Sequence, residues 1–110
     1  MIRRLVVRPE AEAEMAGAFD WYEDRVPGLG ADFLRCVDSV FSAVHRNPEQ
    51  FPLVHRIVRR ALTRRFPYEV FFVADDERVV ILSVFHAKRD PKLWQDRLQG
   101  ANAVGGRARG

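Results

Sequence analysis

Cysteine is nearly missing from this 110-residue sequence. Cys36 stands alone, so no intrachain disulfide can form and the fold needs no oxidising compartment. Lysine is scarce too. Of 18 basic residues only Lys88 and Lys92 are lysines, and the rest are arginine, the better fork for phosphate or carboxylate. No run approaches the ~18 apolar residues of a membrane span. The N-terminus, MIRRLVVRPE, lacks a signal-peptide pattern. These absences lead us to expect a cytoplasmic protein. Acidic residues are absent from one stretch in particular. No Asp or Glu lies between Phe51 and Tyr68, where Arg56, Arg59, Arg60, Arg64 and Arg65 crowd together. The net charge of +3 is therefore uneven: residues 1–55 sum to −3 and residues 56–110 to +6.

Apolar residues make up 47% of the chain, which makes it globular, and its length suits one domain. Ile2 to Arg8 reads as a short strand. Pro9 suits a helix start, with Glu10, Glu12 and Glu14 at its positive end. Ala11, Met15, Ala18, Phe19, Tyr22 and Val26 then recur at helical spacing until Pro27-Gly28. A second helix carries Phe33, Val37, Val40, Phe41 and Val44 on one face and ends at Asn47-Pro48. Two amphipathic helices with so short a link should form an antiparallel hairpin. Beyond residue 50 the pattern turns to strands: Ile57 to Thr63, Tyr68 to Ala74 and Arg78 to Phe85, the last two joined by the polar turn Asp75-Asp76-Glu77. Asp90-Pro91 opens a short final helix with Leu93, Trp94 and Leu98 as packing residues.

The expected fold is α+β, in the order β-α-α-β-β-β with a short C-terminal helix: a helical hairpin on one face of a small, mainly antiparallel sheet. Residues 1–99 form the domain and residues 100–110 a flexible tail. YEVFFVA and RVVILSVF are apolar on both faces, and the hairpin covers only one. The second face is left to the final helix or to a partner.

Of the chemistry-bearing residues, Cys36 sits in an apolar helical pattern and reads as a buried structural thiol. His45 and His55 lack metal-ligand spacing and read as structural or surface residues. Glu10, Glu12, Glu14, Asp20, Glu23 and Asp24 read as the solvated face of the first helix. No acid nearby in sequence compensates the arginine cluster. It suits a phosphate-bearing or acidic partner, while any single arginine also suits the solvated face of an edge strand. Phe66 and Tyr68 read as core, with base stacking as the alternative.

WYEDRVPGLGADF, NPEQFP, RRALTRRFPYEVFF and VFHAKRDPKLW, in this order and spacing, resemble the ParE/RelE superfamily of toxins from bacterial type II toxin–antitoxin modules, over about residues 2–98. The resemblance implies the α+β fold already read from periodicity, and a small cognate antitoxin as partner in a hetero-oligomer. It implies one of two activities. ParE-like members inhibit DNA gyrase. RelE-like members are ribosome-dependent mRNA endonucleases. His86-Ala-Lys-Arg89-Asp90-Pro91 looks like the ParE-like branch, where this pattern has no established catalytic role. On that branch Arg59, Arg60, Arg64, Arg65, Lys88 and Arg89 are expected to bind target or antitoxin. On the RelE-like branch His86 would be the acid or base, with Arg64, Arg65 and Arg89 as phosphate clamps. Neither branch implies a cofactor or metal.

Overall fold

The computed structural model describes residues 2–89 together with Lys92, Gln95 and Asp96. The expected final helix, with Leu93, Trp94 and Leu98, and the tail 100–110 lie outside the described residues. The chain begins with β1 (Arg4–Val7), which runs into α1 (Pro9–Arg25). Pro9 occupies the first helical turn, where a missing N–H costs nothing, and Glu10 and Glu12 meet the positive helix end. Ala11, Ala18 and Tyr22 form the buried stripe. Val26 then turns extended, and Gly28, at φ +91°, takes the left-handed conformation that starts α2 (Leu29–Arg46). The α2 stripe is Phe33, Val37, Phe41 and Val44, four of the five apolar positions that periodicity marks.

At Gly30 the two helices approach closely. A Cβ there would lie 2.7 Å from the Phe19 carbonyl oxygen. The same point is fastened by Glu23, whose carboxylate accepts the Gly28 N–H at 2.8 Å and the Gly30 N–H at 2.9 Å. These are main-chain donors that the helix start cannot satisfy itself. Glu23 therefore does not belong to a merely solvated face.

A 3-10 turn at Pro48–Gln50 leads to β2 (Leu53–His55), β3 (Val58–Leu62), β4 (Tyr68–Ala74) and β5 (Arg78–His86). The sheet order is β1-β5-β4-β3-β2. β1 lies parallel to β5, while every other pair is antiparallel. The α+β reading holds, with a fifth strand added. The β4–β5 turn closes through Asp75, whose Oδ1 accepts the Glu77 and Arg78 N–H groups, each at 2.8 Å. Those two bonds hold the Asp75 carboxyl below its usual range.

Between sheet and hairpin lies the main core, with Phe33, Val37, Val44, Val70, Phe72 and Ile81 among its fully buried members. Each large side chain so buried contributes about 1.5–3 kcal/mol relative to exposure. The other sheet face carries Val58, Phe71, Leu82 and Phe85, and these are buried as well. Of the two readings left open for this face, its central residues fit cover from within the chain. Exposed large apolar residues sit elsewhere: Ile2 before β1, Leu53, Ile57 and Leu62 near the β2–β3 edge, and Trp21 and Val26 on and after α1.

One irregularity decides where the end of β5 points. Phe71 pairs with Ser83 but Phe72 pairs with Ile81, so Leu82 is an extra residue, a β-bulge. It re-phases the strand. Val79 and Ile81 face the hairpin before it, and Val84 faces the hairpin after it. His86, cross-strand from Tyr68, consequently lies on the hairpin side.

Candidate functional site

A groove of about 720 Å³ opens where the end of β5 meets α1. Its walls include Trp21 and Tyr22 from α1, Tyr68 from β4 and His86 from β5, with Lys88 and Arg89 beyond the strand end. Three of the aromatic rings lock together. Tyr22 meets Tyr68 at 6.3 Å and Tyr68 meets His86 at 5.1 Å, both edge-on. A side-chain hydrogen bond also joins the Tyr22 and Tyr68 hydroxyls. Burial above all, then the neighbouring Tyr22, pushes the Tyr68 phenol up to about 12. Tyr22 is raised as well, by burial. Trp21 is 52% exposed, with the Arg25 guanidinium 3.5 Å from its ring centre.

Glu14 closes the inner end. Its Oε1 accepts from the Ser83 hydroxyl and from the Val84 N–H, each at 3.0 Å. The reason lies in the sheet. β1 pairs with β5 only as far as Ile81, so the Val84 N–H has no strand beside it. A helix carboxylate takes the place of the missing strand. Glu14 is thus a structural acceptor inside the groove, which corrects its reading as part of a solvated face. The signal was present in its spacing: Glu14 is three residues after Ala11 and four before Ala18, both buried.

His86 is committed too. Its Nδ1 accepts the Lys88 N–H at 3.0 Å, so the neutral ring carries its proton on Nε2. This is a cap on the turn that follows β5. Glu14, Tyr22, Tyr68 and His86 thus each hold part of the fold. Chemically the groove offers aromatic faces and a cationic rim, suited to recognising a partner.

The remaining predicted site residues do not converge. Arg59 pairs with Phe72 on the hairpin side and donates to the Phe51 carbonyl at 2.6 Å. Arg60 pairs with Phe71 on the opposite face and meets Glu69 at 3.2 Å. Arg65 sits 3.5 Å from Asp32 at the start of α2, with the Phe66 ring beneath it. Arg64 lines a second groove, between α2 and β3. Lys88 and Arg89 alone join His86. The fold thus brings compensating acids to the cluster, Glu69 from β4 and Asp32 from α2. Phe66 is core, as expected, and Tyr68 is half-buried at the groove. Cys36, expected to be buried, is half-buried and lines the second groove. His45 binds the Arg3 carbonyl and ties α2 to the start of the chain. Among the described residues no cluster of His, Cys, Asp or Glu could hold a metal ion. No helix there is long and apolar enough to cross a membrane.

The same architecture occurs in a solved structure described as "Chromosomal ParDE TA system from P. aeruginosa". The TM-score is 0.71, with 16% sequence identity over 79% of this chain and 98% of that one. At that identity the likeness shows a shared fold, which places the chain in a class of small α+β domains built as a hairpin on a mixed sheet. No curated protein matches the sequence. The model of the family described as "ParE toxin of type II toxin-antitoxin system, parDE" matches residues 5–91, and the chain belongs to that family.

Proposed function

We propose that the chain is a toxin that acts in the cytoplasm by inhibiting DNA gyrase through a protein–protein surface, and that a cognate antitoxin neutralises it. Family membership supports the toxin reading. The observation that carries the branch is the dispersal of the candidate clamps. An RNA-cleaving site needs cations converging on one phosphate beside an available acid and base. Here Arg59 and Arg60 lie on opposite faces, Arg65 is paired with Asp32, and His86 caps a turn. The working surface in this reading is the groove with its rim of Lys88 and Arg89, while the arginines of β3 and the turn after it serve the antitoxin.

The second reading, a ribosome-dependent mRNA endonuclease, is favoured by one observation: His86, Tyr68 and Arg89 share a groove. Two assays on the purified full-length protein separate the readings. One follows supercoiling by gyrase and the other follows mRNA cleavage on translating ribosomes. Inhibited supercoiling with intact message supports the proposal. Cleaved message with normal supercoiling overturns it, and silence in both overturns the toxin reading itself. Replacing Lys88 and Arg89 together by glutamate should abolish gyrase inhibition while leaving the fold intact.

A further inference from the structure

Gly17 sits in the middle of α1, the helix that forms one wall of the groove at the end of β5. Inside a helix glycine is the least favourable residue after proline, so its place there asks for a reason. Packing within the chain gives none, because a Cβ built at Gly17 meets nothing within 4 Å. Gly30 is the contrast, where a Cβ would strike the Phe19 carbonyl oxygen. What Gly17 does is bare the backbone of α1 along the groove. Trp21 stands one helical turn beyond it and is half exposed. Glu14 lies nearly one turn before it, with its Oε1 taken by Ser83 and Val84. Tyr68 and His86 form the facing wall. Lys88 and Arg89 have no ion pair among the described residues.

A bare stretch of helix backbone flanked by rings admits a flat group at close range. The two rim cations call for a carboxylate beside that group. A second copy of this chain fits poorly. Its exposed apolar residues Leu53, Ile57 and Leu62 stand among Arg56, Arg59 and Arg64, and would set cation against cation. A nucleobase needs partners for its edges, and Glu14, Tyr22 and Tyr68 already bond within the chain. We propose that Gly17 is a docking notch: an aromatic side chain projecting from gyrase lies on the α1 backbone at Gly17, between Trp21 and Tyr68, and a carboxylate beside it meets Lys88. The inference rests on the reading that this groove is the surface that engages gyrase.

The test is the supercoiling assay with full-length variants at Gly17. Gly17→Leu fills the notch and should raise the concentration needed for half-inhibition about tenfold or more. Its urea midpoint should stay at or above that of the parent, since the site is open and leucine favours the helix. Gly17→Ala adds one methyl and should fall between the two in inhibition. Lys88→Met removes the charge, keeps the apolar stem, and should also weaken inhibition. Should Gly17→Leu not fold, Trp21→Ala decides, because Trp21 is 52% exposed and its removal should cost inhibition about tenfold as well. A folded Gly17→Leu chain, or a Trp21→Ala chain in its stead, that inhibits as the parent does overturns the notch and leaves the gyrase reading standing. If Gly17→Leu instead loses mRNA cleavage on ribosomes, the groove belongs to RNA and the proposal falls. A parent chain that leaves supercoiling untouched overturns the gyrase reading and the notch together.

Discussion

Gly30→Ala tests the joint on which the helical hairpin closes. The added methyl would sit 2.7 Å from the Phe19 carbonyl oxygen, 2.8 Å from the Phe19 ring and 3.0 Å from a Glu23 carboxylate oxygen. The first obstacle is backbone and cannot rotate away. Ordinary contact begins near 3.4 Å, so α2 must withdraw from α1 by roughly half an ångström or more. Overpacking of this kind costs about 1–3 kcal/mol. Withdrawal also strains the Gly30 N–H bond to Glu23, and a bond to a charged group contributes about 1.5–3 kcal/mol when intact. Against this stands the helix preference of alanine over glycine, at most about 1 kcal/mol. The loss wins, and we expect a net destabilisation of about 1–3 kcal/mol. The assay is equilibrium urea unfolding, with the midpoint falling and the slope unchanged. Gly17→Ala is the matched control. Gly17 lies within α1, and a Cβ there meets nothing within 4 Å, so this variant should gain up to about 1 kcal/mol. If Gly30→Ala is as stable as the parent, the close approach is not what sets the hairpin, and the reasoning fails.

Glu14→Ala strands the Ser83 hydroxyl and the Val84 N–H and should cost about 2–3 kcal/mol in the same unfolding assay. Glu14→Gln keeps an acceptor and should lose clearly less, so equal losses would argue against the edge-capping role. Burial pushes the Tyr68 phenol up from the ordinary 10.0 to about 12, so the fold favours the neutral phenol. The stability this gives is whole below pH 10 and is lost as pH rises from 10 through 12. Ultraviolet titration of phenolate in parent and Tyr68→Phe should show one late-ionising tyrosine disappear, and an unchanged curve would refute the assignment. His86→Asn places an acceptor two residues before the Lys88 N–H and should keep both fold and toxicity, while His86→Ala should lose about 1 kcal/mol of stability. Toxicity abolished by both, in chains that remain folded, would favour proton transfer by His86.

Periodicity made the helical hairpin readable, because each helix buries one regular face, and four of the five strands stood out as apolar runs between turn residues. β2 was not readable. It is three residues long, and the turn after it carries Arg56 at φ +53° where glycine or asparagine would have announced a turn. The parallel seat of β1 beside β5 was also hidden, since strand order depends on contacts distant in sequence. The roles of Glu14 and Glu23 escaped for a related reason. Both answer main-chain donors on other elements, at Val84 and at Gly28 and Gly30, and those orphans exist only once the chain is folded. The bulge at Leu82 left no mark in VVILSVF, yet it sets the side on which His86 lies.

The crowded arginines of residues 56–65 look like one patch in the sequence and act as several devices in the fold. Strand alternation sends Arg59 and Arg60 to opposite faces, and Asp32 and Glu69 then draw in Arg65 and Arg60. Counting charges along the chain therefore overstates what is free to bind. The pairing is nonetheless cheap to undo, because the Arg65–Asp32 pair is 60% and 33% exposed and such pairs contribute at most about 1 kcal/mol. The same cations burden any copy of this chain that tries to pair its open edge with another. Charge at an open strand edge thus keeps like chains apart.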